Sequence, residues 1–153
     1  MSKILRREKG FSLLELLVVV AVIGVLAAIT IPNLLNGIDK SRQRRTMAEL
    51  RTIGVAIETY ALDQGRYPRG MSGPIGPNAS GVISPTYLRK VPTSDAWGGE
   101  IQWVTDATGT NYTLRSLAKD GLAQNVAGPR TDFNDDIVFT DGYFHAWPEG
   151  AQM

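Results

Sequence analysis

The feature that most constrains this chain is an apolar run over residues 11–38, FSLLELLVVVAVIGVLAAITIPNLLNGI, whose only charge is Glu15. Between residues 16 and 31 every position is apolar or small except Thr30. A helix over 11–35 is roughly 37 Å long at about 1.5 Å per residue. That length crosses a hydrocarbon core of about 30 Å. The run is therefore able to span a bilayer, and the rest of the chain must fold beyond one end of it. Ahead of it, MSKILRREKG sets Lys3, Arg6, Arg7 and Lys9 against Glu8.

Three readings of this N-terminus compete. A cleaved secretory signal has an apolar core of about 7–15 residues followed by a small-x-small site; here the core is longer, contains Glu15, and no such site follows. A plain single-pass anchor fits the length but leaves Glu15 unexplained, because an ionised side chain deep in a membrane costs at least ~2.5–3.5 kcal/mol. In the third reading the chain is cut between Gly10 and Phe11. The new Phe11 amine then lies four residues before Glu15, and opposite charges at short range offset part of each other's desolvation. Lysine and arginine do not fix the orientation, since Lys40, Arg42, Arg44 and Arg45 beyond the run balance the leader.

Past Pro32, where a kink or local melting of the helix is expected, Met47, Leu50, Ile53, Gly54, Ile57 and Ala61 recur at helical spacing. Arg44, Arg45, Glu49, Arg51 and Glu58 fall on the other face. The periodicity predicts an amphipathic helix to residue 64, stopped by Gly65 with Pro68 shortly after. Residues 65–85 hold nine Gly or Pro and read as loop, with a helical turn expected over 85–90. Strands are expected at 101–105, 112–117 and 137–140. The expected fold class is α+β: a long helix packed on an antiparallel sheet of about three strands.

Chemistry is hard to find. The single histidine, His145, and the absence of cysteine exclude a zinc cluster and a cysteine nucleophile. Neither G-x-S-x-G nor a phosphate-binding glycine pattern occurs, so no enzyme activity is expected. Trp97, Trp103 and Trp147 read as core or interface. Sixteen Lys+Arg against 15 Asp+Glu leave a formal charge of +1, which gives no reason to expect a nucleic-acid partner.

Residues 9–34, K-G-F-S-L-L-E-L-L-V-V-V-A-V-I-G-V-L-A-A-I-T-I-P-N-L, resemble the N-terminal signal of type IV prepilins and type II secretion pseudoprepilins. The resemblance implies a leader over 1–10, removed between Gly10 and Phe11. It further implies N-methylation of Phe11 and neutralisation of an adjacent subunit's Phe11 amine by Glu15, with Pro32 in the assembly segment. It divides the rest into a membrane and assembly half-helix over 11–35, an amphipathic half over 36–64, and a loop and sheet region over 65–153.

Farther on, Asp63-Gln64-Gly65-Arg66-Tyr67-Pro68 resembles the D-x-G-x-Y-P turn of the major, G-type pseudopilin. Residues 91–98 resemble its D-P-W-G segment, with Ala96 in place of proline. Residues 112–121 resemble its strand and S-L-G-A-D-G turn, with Ala118 and Lys119 substituted. By the same resemblance a structural Ca²⁺ is expected on Asp120, Asp135, Asp136 and the Leu117 carbonyl. The stretch 121–134 is longer than expected for that loop, and Asp132 or Asn134 is an alternative ligand. An EF-hand is excluded, since Ile137 stands where glycine is needed.

The implied function is a structural subunit of the periplasmic pseudopilus of a type II secretion system, supporting export of folded proteins. The alternative is a type IV pilin of a surface filament for adhesion, motility or DNA uptake; many such pilins close a C-terminal loop with a disulfide, which this chain lacks. A membrane-anchored binding module that never polymerises is a third. The implied partners are further copies of the chain, related minor pilins or pseudopilins, a prepilin peptidase and methyltransferase, and an inner-membrane assembly platform. The implied location is the bacterial inner membrane, single-pass, with a periplasmic C-terminal domain.

Overall fold

A computed structural model describes residues 10–124 and 127–149; the expected leader, apart from Gly10, lies outside the described residues. The chain divides into two units, residues 1–38 and 39–153. Helix α1 (Leu13–Gln64) contributes to both.

In the first unit the helix starts at Leu13, two residues later than the apolar run. The Ser12 hydroxyl accepts the Glu15 N–H at 3.1 Å, and the Ser12 carbonyl accepts the Leu16 N–H at 3.2 Å. Ser12-Leu13-Leu14-Glu15 thus has the S-x-x-E spacing of a helix start, with the hydroxyl satisfying an orphan amide. The melting expected at Pro32 does not occur; α1 continues through it. Proline removes one amide, while Thr30 Oγ1 donates to the Leu26 carbonyl at 2.8 Å and Asn33 Nδ2 to the Ile29 carbonyl at 3.2 Å. These bonds keep polar side chains satisfied within an apolar segment.

In the second unit the expected stripe is the packed face: Met47, Leu50, Ile53, Gly54 and Ile57 are buried. Gly65 ends the helix at φ +73°, the left-handed conformation that glycine adopts without strain. Three strands appear where expected, β1 (Gln102–Thr105), β2 (Tyr112–Ser116) and β4 (Ile137–Thr140). Two more correct the strand count, β3 (Gly128–Arg130) and β5 (Tyr143–Pro148). The order is β1-β2-β4-β5-β3, antiparallel except for β3 against β5. Asp141 and Gly142, at φ +48° and +90°, join β4 to β5 with the handedness that a two-residue hairpin requires.

The Gly/Pro-rich stretch is also less irregular than expected. It holds α2 (Ile75–Ala79), whose Ile75 and Ala79 enter the core. The helical turn expected at 85–90 is instead a non-helical turn, closed by the Tyr87 and Leu88 amides on the Ile83 carbonyl at 2.9 and 3.0 Å. An aromatic chain runs through the middle of the sheet: Tyr67 on Tyr112, Tyr112 on Phe139 and Phe139 on Phe144, at 4.8, 6.4 and 4.9 Å between centroids. Burial of the Tyr112 hydroxyl, then its bond to Glu58 at 3.0 Å, raises its pKa far above the phenol range.

Candidate functional site

Gly10, Phe11 and Ser12 precede the first helical turn, and all three are exposed. The Gly10–Phe11 bond thus lies in non-helical, accessible chain, the kind of segment in which peptide bonds are cut most readily. From Leu13 to Ile38 every side chain is exposed except Ala27, which is half-buried. The most apolar 18-residue window has a mean hydropathy of 2.8, and none of it is buried. A helix apolar on all sides with nothing covering it needs lipid or other helices around it. Glu15 stands in its first turn, where a carboxylate also complements the positive end of the helix.

In the second unit two carboxylates that sequence reading missed hold the substituted segments in place. Asp39 is 5 % exposed. It accepts Lys119 Nζ at 2.9 Å, Arg42 Nη1 at 3.2 Å and Trp97 Nε1 at 3.4 Å. Asp95, 4 % exposed, accepts the Trp97 and Gly99 amides at 3.0 and 2.8 Å and the Ser116 hydroxyl at 2.6 Å. Thr46 on α1 receives the Ala96 amide at 3.1 Å. The D-A-W-G turn is thereby bonded to α1 and to β2. Its indole is structural, as is that of Trp103, which is fully buried. His145 is exposed.

The Lys119 hydrogen bond holds the Asp39 carboxyl below its ordinary pKa; burial opposes this, and Trp97 and Arg42 add to it. A depressed carboxylate pKa contributes stability above the unfolded value of about 3.9 that is lost as pH falls through the folded value. The thermal unfolding temperature of the native protein should therefore fall below about pH 4. Asp39→Asn should already be less stable at pH 7 and lose less on acidification.

The expected calcium ligands are only partly gathered. The Leu117 carbonyl accepts the Gly121 amide at 3.1 Å, and Asp120 Oδ1 the Leu122 amide at 3.0 Å. Asp135 is drawn to Arg130 at 3.4 Å and to the Asp132 amide at 3.2 Å, while Asp132 caps the Asn134 amide at 3.2 Å. Asp136, 2 % exposed, accepts the Gln124 amide through Oδ2 at 2.8 Å, with Arg115 Nε at 3.7 Å. Its Oδ1 is buried with no partner among the described residues. Burial pushes the Asp136 pKa up, and the charge of Asp120 adds to the rise against the pull of Arg115 and Arg130. Among the described residues no group of three or more acidic or histidine side chains is placed to hold a metal ion. The orphaned oxygen of Asp136 beside the charge of Asp120 is what a cation would satisfy; Asp135 is committed elsewhere.

Comparison with known proteins bears on both units. The family model "Type II secretion system (T2SS), protein G" matches residues 33–135, and "Prokaryotic N-terminal methylation motif" matches residues 5–31. Among curated relatives, type II secretion system core protein G of Klebsiella pneumoniae is 30% identical over 141 residues, 87% of this chain and 94% of that protein. Core protein G of Klebsiella michiganensis is 31% identical over 85% of this chain and 91% of its own length. That of Pseudomonas aeruginosa is 32% identical over 76% and 87%. No solved structure matches significantly.

Proposed function

The chain belongs to the protein G family of the type II secretion system, and on that premise we propose that it is a structural pseudopilus subunit assembled through its processed N-terminus. The observation that carries this reading is the uncovered apolar half of α1 with one carboxylate, Glu15, in its first turn. Cleavage between Gly10 and Phe11 releases an amine, which is methylated on Phe11, and Glu15 of one subunit neutralises the Phe11 amine of the next. Pro32 lies in the same assembly segment. Before assembly the apolar half sits in the inner membrane with the sheet domain on the periplasmic side. The prepilin peptidase, related minor pseudopilins and an inner-membrane assembly platform are its partners in this reading, and its role is mechanical support of protein export, without catalysis.

Intact-mass measurement on protein from its native host tests the processing step. The expected mass is that of residues 11–153 plus one methyl group. A Gly10→Asp variant should keep the leader, because a side chain and a charge then occupy the position at the cut. A full-length mass for the native protein would refute the scheme.

Calcium enters as part of the same proposal, held by Asp120, Asp136 and the Leu117 carbonyl, with Asp135 left on Arg130. A hard, oxygen-seeking cation would neutralise the charge that burial now opposes on Asp136. Saturating Ca²⁺ at about a hundred times Kd contributes ~2.7 kcal/mol. For a domain of this size that is a rise in Tm on the order of 10 °C. Asp136→Asn should keep its Tm in chelator, since a neutral side chain suits the site, and lose the calcium increment. The same Tm for the native protein in chelator and in calcium would reject the ion.

A further inference from the structure

A recess of about 130 Å³ is lined by Lys40, Gln43 and Arg44 on α1, by Arg130 and Phe133 around β3, and by Pro148 and Glu149 at the end of β5. Its charge is not an average sample of the helix. Of the four cations that follow the apolar run, Arg42 is paired with Asp39 and Arg45 with Glu49, at 3.2 and 2.9 Å. The two that line the recess, Lys40 and Arg44, have no carboxylate within ion-pair reach among the described residues. Arg130 adds a third cation, shared with Asp135, and Glu149 is the one acid in the lining. Gln43, 6 % exposed, also lines the recess and brings a carboxamide to it.

We propose that this recess binds the phosphate headgroup of an anionic phospholipid. Position argues for lipid over a free anion. Lys40 is two residues beyond Ile38, where the apolar run ends, and Arg44 is one turn further. Along the helix both lie within roughly 9 Å of the run's end, inside the range over which anionic headgroups attract basic side chains. A phosphate there has guanidinium and ammonium donors from α1, a guanidinium from the opposite wall, and the Gln43 amide. The inference rests on residues 11–38 being embedded in a membrane and goes beyond assembly: the unassembled subunit holds a headgroup in this recess, and incorporation into a filament must release it.

The test uses the full chain in nanodiscs of phosphatidylcholine with increasing phosphatidylglycerol, followed by hydrogen–deuterium exchange over residues 40–45 and 127–133. Exchange should slow as phosphatidylglycerol rises. Lys40→Gln and Arg44→Gln should each raise the phosphatidylglycerol fraction needed for half the effect about fivefold. Arg89→Gln, outside the recess, should change nothing. Arg130→Gln should act like Arg44→Gln, but its ion pair with Asp135 is structural, so the two helix variants decide. Exchange indifferent to phosphatidylglycerol, or equally altered by Arg89→Gln, overturns the site. Protection reproduced by millimolar inorganic phosphate in phosphatidylcholine discs overturns the lipid assignment. A chain that does not elute with the discs overturns the membrane reading and this inference together, whereas insertion without headgroup dependence overturns this inference alone.

Discussion

Glu15→Ala is expected to leave the protein in the membrane and out of the filament. The substitution removes the only charge between Phe11 and Ile38, so insertion becomes easier by at least ~2 kcal/mol on insertion scales. Membrane levels should not fall. On the proposed scheme the Phe11 amine then has no counter-charge in its apolar surroundings, and neutralising it alone costs several kcal/mol. At about 1.4 kcal/mol per factor of ten, incorporation should drop at least a hundredfold. The Ser12 hydroxyl still caps the backbone amide of residue 15, so the helix start survives and a folding defect does not confound the result. Sheared or cross-linked filaments, compared with membrane fractions by immunoblot, give the answer. Native-level incorporation of Glu15→Ala would remove the charge-pairing argument, and Glu15→Asp should recover part of the loss.

The second large effect lies in the sheet domain. Gly54→Val is expected to cost about 3 kcal/mol or more, a large share of the ~5–15 kcal/mol by which domains are usually stable. Gly54 is in the middle of a helix, where glycine by itself costs about 1 kcal/mol against alanine. Its place is decided by Phe139: a Cβ at residue 54 would come within 2.3 Å of Phe139 Cε1 and 3.1 Å of Cδ1 and Cζ. The ring cannot readily withdraw, since Phe139 is 2 % exposed and stacked edge-on against Phe144. Gly54→Ala should fall between the two, helped by propensity and hindered by the clash. Shortening the ring should relieve it, so Gly54→Ala with Phe139→Leu is expected to be less destabilised than the sum of the single changes. Urea unfolding followed by circular dichroism measures each. Native stability in Gly54→Val would mean that the helix can lift off the sheet at no cost.

The stripe from Met47 to Ile57 was legible because helical periodicity repeats every few residues and needs no knowledge of the partner. Gly65 was legible for a similar reason, its left-handed φ being a local demand. β5 went unread although its signals were present. Asp141-Gly142 is a favoured two-residue hairpin turn, and Phe144, Ala146 and Pro148 alternate inward along β5. β3 had no such signal: Gly-Pro-Arg is a poor strand sequence, and only its parallel pairing with β5 makes it one.

By itself, then, the sequence determined the membrane-length helix, its one charge, the packed stripe and the helix stop. Each rests on residues within a turn or two of one another. The tertiary structure alone decided that Lys119 reaches Asp39, 80 positions away, that Thr46 holds the Ala96 amide, 50 away, and that Asp135 turns to Arg130 while one Asp136 oxygen has no partner among the described residues. Hydrogen bonds and ion pairs between distant residues leave no period in the chain. Burial then sets what each charge is worth, and burial is a property of the folded packing.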